Sequence, residues 1–133
     1  MHQFTAADQQ GGISSNLDPG SRKFMMKHGT YQFTSSVMCY PLGELLGIIG
    51  VQHVDFFALD VQGAELGILR TIDWKRIRID TLAIEYDVFG FPDESNKKLA
   101  DIRAFMNSTG RSYREIAIMG IDVLFQLVHE QKP

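Results

Sequence analysis

Two acids and an amide, Asp60, Gln62 and Glu65, close and follow the apolar run in the stretch VDFFALDVQGAELGIL, residues 54–69. A third acid, Glu85, closes the next apolar run, IDTLAIEYD, with Asp87 two residues on. Carboxylates at the ends of apolar segments can serve as general bases or hold a ligand. They can as readily cap a helix. Asp60 suits either role, because a strand-end acid can accept a free backbone N–H of the helix that follows. Glu65 is different. At about 100° per residue it projects onto the face of Ile68, Leu69 and Ile72. The helix dipole favours a first-turn acid by roughly 0.3–1 kcal/mol, which does not account for that inward direction. Glu65 either reaches past a sheet rim into a cleft or pairs with backbone N–H groups nearby.

Other reactive residue types carry less. His2, His28, His53 and His129 are scattered without ligand spacing and lie in no Cys/His cluster, so no metal site is expected. Cys39 falls in a strand-like run, where a buried inert thiol is the expectation. The triplet Asn107-Ser108-Thr109 is a glycosylation sequon, meaningful only along the secretory route. The basic pairs Arg22-Lys23, Lys75-Arg76 and Lys97-Lys98 read as solvated surface.

The elements that position Asp60 and Glu85 follow from periodicity. Residues 54–59 are apolar except for Asp55, the pattern of a strand covered on both faces, as in a parallel sheet. Residues 63–74 have helical spacing and residues 79–86 form the next buried strand. Strand, helix and strand within about thirty residues make a βαβ unit with a right-handed crossover. Upstream, residues 31–40 mix β-branched and aromatic types, and Pro41 opens a short helix in PLGELLGIIG. Downstream, residues 95–108 are helical with Leu99, Ile102, Phe105 and Met106 on one face, and Gly110 just past the end. SYREIAIMGIDVLFQLV gives two strands split at residues 120–122, a hairpin whose second strand is too apolar for a free edge. Residues 1–30 are rich in turn formers and read as loop or disordered, leaving residues 31–130 as the structured portion.

Composition bounds the partners. The 133 residues suffice for one domain with a real core, and 44% hydrophobic with 22% charged residues is ordinary for a soluble globular chain. A formal net charge of −3 argues against a nucleic-acid surface. One cysteine allows no internal disulfide. No apolar run approaches the roughly 18 residues of a membrane span, and the first residues lack the pattern of a signal peptide.

HVDFFALDVQGAELGILRTIDW followed by IDTLAIEYD resembles the FkbM-type methyltransferase family. Its members carry a hydrophobic strand, a D-V-E-G-A-E segment, a helix ending near a Trp, and a strand closing on Glu. The match spans roughly residues 40–128, taking in PLGELL and DVLFQLV. DFFALD and IDTLAIEYDVFG look like the animal branch containing Star-like proteins and methyltransferase-like 24.

The resemblance implies an α/β class I methyltransferase (Rossmann-like) fold, present in part. Residues 31–130 would be the C-terminal half of the domain: fourth strand, helix, fifth strand, helix and a terminal antiparallel hairpin. It implies S-adenosylmethionine as cofactor, with Asp60, Glu65 and Glu85 as the catalytic acids and Asp60 and Gln62 beside the cofactor. Two departures stand out. The family's glycine-rich D-x-G-x-N-x-G loop is not found in the chain, and Gln62 stands where the family usually has Glu. The chain alone is therefore expected to be inactive and not to hold the cofactor. The partner would be an unspecified methyl acceptor in the cytoplasm. The alternative is a non-enzymatic Star-like protein that moves membrane-bound growth-factor precursors as cargo through the endoplasmic reticulum and Golgi. Half of such a sheet would also expose an apolar edge open to dimerisation.

Overall fold

The computed structural model describes residues 2–7, 10–28 and 32–128. Among these residues, two sheets and four helices form a mixed α/β arrangement. Strands β1 (His2–Ala7), β2 (Gln10–Ile13) and β3 (Gln32–Val37) make a small antiparallel sheet in the order β2-β1-β3. Helix α1 (Pro19–His28) lies between β2 and β3, and α2 (Leu42–Ile48) follows β3.

The second sheet contains β4 (His53–Leu59), β5 (Arg78–Glu85), β6 (Tyr113–Met119) and β7 (Asp122–Leu127), in the order β4-β5-β7-β6. β4 pairs with β5 in parallel, crossing over through the short helix α3 (Glu65–Leu69). β7 is antiparallel to both β5 and β6, so β4, β5 and β6 run one way and β7 alone runs against them. Helix α4 (Pro92–Ser108) connects β5 to β6. The βαβ unit and the closing hairpin stand where periodicity puts them, and the apolar β7 is inserted between two strands.

The helical layer closes the core. Leu69, Ile79, Leu82, Ile84, Ile102, Met106 and Val123 are fully buried there. Trp74 fixes the end of α3 by donating its indole N–H to the Leu69 carbonyl at 3.0 Å, and it packs edge-on against Tyr113 at 5.8 Å. Tyr113 in turn donates to the Ile79 carbonyl at 2.7 Å. This explains why α3 is shorter than the expected helix over residues 63–74. Thr71 and Ile72 turn back to the carbonyls of Ile68 and Leu69, and the indole takes the Leu69 oxygen as well.

Three expectations are corrected. The described part of residues 1–30 is not loop, since β1, β2 and α1 occupy most of it. β1 gains from partners distant in the chain that a local reading does not contain, including a Thr5–Ser14 hydroxyl contact at 2.7 Å just past β2. The start of α1 is a proper capping sequence: Asp18 accepts from the Ser21 N–H at 2.8 Å, and Pro19 takes the first helical position. Second, β4 is not covered on both faces. Only Leu59 is buried, and Phe56 is 57% exposed, because helices cover one face and β5 is the only strand paired with it among the described residues. Third, Cys39 is exposed, since β3 ends at Val37 and the thiol lies in the connection to α2.

Candidate functional site

β4 and β5 point their carboxyl ends at one rim, the end of an open α/β sheet where ligands bind. Asp60 follows β4, Glu85 ends β5, and Glu65 opens α3 between them. The three expected acids converge: each offers a carboxylate oxygen within 4.8 Å of the others. Asp60 is exposed, whereas Glu65 is 0% and Glu85 7% exposed.

The loop between β4 and α3 is wound around Glu65. Its Oε1 accepts the Val61 N–H at 3.1 Å, and its two oxygens accept the Gly63 N–H at 3.2 and 3.1 Å. Of the two readings open for Glu65, pairing with backbone N–H groups is the one observed. The loop is tight. Gln62 adopts φ +53° and Gly63 φ +105°. A Cβ on Gly63 would come within 2.2 Å of the Asn16 carbonyl, so only glycine lets α3 sit this close to the segment before α1.

Asp60 does not cap α3, which has no side-chain cap. Instead its Oδ1 accepts from Gln62 Nε2 at 2.6 Å. The Gln62 oxygen faces Ser21 Oγ at 2.5 Å, and the Asp18 N–H donates to the Gln62 carbonyl at 3.2 Å. Gln62 thus ties Asp60 to the first turn of α1.

Two charged groups at this rim lie outside the sequence reading. Lys98, taken as solvated surface, is 12% exposed. Its Nζ stands 3.0 Å from Glu65 Oε2 and 3.7 Å from Glu85 Oε2. Helical spacing carries the signal, because Lys98 falls on the stripe of Ser95, Leu99 and Ile102, all buried. Asp122 is the second group. It begins β7 directly across from Glu85. No local pattern marks it, since only the insertion of β7 beside β5 brings it to the rim.

Crowding of acids sets the electrostatics. Burial pushes the Glu85 carboxyl up to about 8; the Lys98 ammonium opposes the rise, and Asp60 and Glu65 add to it. Asp122 is also raised, first by burial and then by Asp60. A hard divalent ion would use such a set of carboxylates, but here an ammonium already stands among them. Neither Lys98 Nζ nor Glu85 Oε2 has a correctly directed hydrogen-bond partner among the described residues.

Other features lie apart from the rim. His53 Nε2 is 2.9 Å from Asp80 Oδ2 at the opposite end of the sheet, and the Arg78 guanidinium, ahead of His53, holds Asp80 below the usual carboxylate range. Asp87 accepts from Ser95 Oγ at 3.0 Å, part of the joint between β5 and α4. A groove of about 660 Å³ with apolar walls runs past β4, lined by Tyr40, Leu42, Leu45, Phe57 and Ile68 among others.

A family model described as methyltransferase FkbM domain matches residues 2–114. The match takes in the small antiparallel sheet and α1 as well as Asp60, Glu65, Glu85 and Lys98 at the rim; Asp122 lies beyond it. No curated protein matches the chain, and no solved structure does.

Proposed function

The chain belongs to the methyltransferase FkbM domain family, and from that premise we propose that it forms the C-terminal half of a class I, S-adenosylmethionine-dependent methyltransferase domain. The observation that carries this reading is the sheet order β4-β5-β7-β6 with a single antiparallel strand, which gathers the acids at the carboxyl ends of its parallel strands. DFFALD and IDTLAIEYDVFG support placing it in the animal Star-like branch.

On this reading the chain supplies one wall of the site. Asp60, the exposed acid, contacts substrate or cofactor, and Gln62 holds it in place. Glu65 orients the loop, as its backbone contacts support. Glu85 is the second acid at the rim, its carboxyl pushed up to about 8 by burial, so that it exchanges a proton close to neutral pH. Positioning of the reacting groups would contribute much of the rate.

The residues present do not fit S-adenosylmethionine by themselves. The chain has no D-x-G-x-N-x-G segment, and the Val61 and Gly63 N–H groups of its rim loop are already taken by Glu65. The outer edge of β4, unpaired among the described residues and carrying the exposed Phe56, is where such a sheet would continue; in the isolated chain we assign it to pairing with a second copy. Calorimetry with S-adenosylmethionine tests the reading. The purified chain should show no micromolar binding, while a longer protein carrying a glycine-rich loop upstream should bind. Micromolar affinity in the chain alone would overturn it.

A further inference from the structure

We infer that Lys98 is the positioning residue of this rim: one ammonium from α4, reaching Glu65 and Glu85 together, sets the conformation of the loop over residues 60–64 and with it the stance of Asp60. The inference rests on the reading of the rim as the functional site, but its geometry stands without it.

Adjacent lysines on α4 have opposite fates. Lys97 is 70% exposed and pairs with Asp101 one turn on, a solvated surface contact. Lys98 runs its stem along the buried stripe and delivers its head between two buried acids. Without it, Glu65 would be left with no cation beside it among the described residues, and burying unpaired charge is costly. The ammonium stands against Glu65 on α3 and Glu85 on β5; two further acids share the rim, Asp60 after β4, with a carboxylate oxygen within 4.8 Å of both, and Asp122 on β7, across from Glu85.

From Lys98 a chain of contacts leads to Asp60. The ammonium holds Glu65; Glu65 gathers the Val61 and Gly63 N–H groups; those two bonds fix Gln62 at φ +53°; and Gln62 Nε2 then meets Asp60. A shift of the Glu65 carboxylate would be felt at each link. Placing the cation on a helix frees the loop from carrying its own counter-charge, so Asp60 keeps an exposed face.

NMR on the whole chain tests this. Lys98→Met keeps the stem and removes the charge. In that variant the Gln62 side-chain amide and the Val61 and Gly63 amides should shift, and the Glu85 carboxyl should titrate above its wild-type midpoint. The Trp74 indole signal, a core reporter, should stay in place. Lys98→Arg should restore the wild-type pattern in part. A folded Lys98→Met protein with unchanged Gln62 and Glu85 signals overturns the inference. If that variant does not fold, the wild-type Lys98 ammonium decides: slow hydrogen exchange supports the buried bridge, and exchange as fast as at Lys97 refutes it. None of these readouts involves methyl transfer, so their failure is distinct from failure of the functional reading.

Discussion

Gln62 donates from Nε2 to Asp60 Oδ1 at 2.6 Å while its own oxygen faces the hydroxyl of Ser21. An amide can do both; a carboxylate cannot donate to Asp60. Gln62→Glu, which restores the acid usual at this position, should therefore lose the bond and set two carboxylates against each other. We expect a destabilisation of about 1–3 kcal/mol at neutral pH, measured by urea unfolding. The deficit should shrink in acid, where one of the pair takes up a proton. Equal stability of variant and wild type at neutral pH would show that the amide is not needed.

Glu85 makes stability depend on pH in a defined window. Its folded carboxyl titrates at about 8 and its ordinary value is 4.5. Between those values the folded state holds a proton that the unfolded state has lost, so stability falls as pH rises through this range and levels off above 8. Glu85→Gln should flatten that slope and make the protein more stable than wild type at pH 8. Parallel stability curves for the two proteins would contradict the assignment.

Two glycines separate space from conformation. Gly63→Ala meets the Asn16 carbonyl and a positive φ at once, so it should cost about 2–3 kcal/mol. Gly47, exposed in α2, has nothing within 4 Å of an added Cβ. Gly47→Ala should stabilise by about 0.5–1 kcal/mol through helix propensity alone. Thermal unfolding of both variants reads the contrast, and a stabilised Gly63→Ala protein would refute the packing described for the rim.

The open edge of β4 should declare itself in solution. We expect the molar mass from light scattering to rise with concentration for the wild-type chain, and Phe56→Lys to hold it at the monomer value. A monomer at every concentration would rule out self-pairing at this edge.

Much of this was written in the local pattern. Alternation and apolar runs identify β4, β5 and the hairpin, because a buried strand needs apolar side chains wherever it sits. The inward projection of Glu65 follows from helical geometry, which left a cleft or nearby backbone N–H groups as its partner; the structure decides for the N–H groups. The capping pair Asp18-Pro19 reads as one more turn among so many turn formers, and only the structure shows it opening α1.

Lys98 sits in a basic pair that looks like surface, and only the docking of α4 on the sheet separates its fate from that of Lys97. Asp122 reaches the rim because β7 inserts beside β5, a pairing between residues far apart in the chain. From β3 onward the sequence by itself determined which segments become strands and helices and which acids close them, since those choices depend on neighbours within a turn or two; β1, β2 and α1 were not legible in it. Tertiary structure alone decided which charges meet and which carboxyl keeps its proton. Burial and Coulomb interaction depend on distance in space, and the chain order does not contain it.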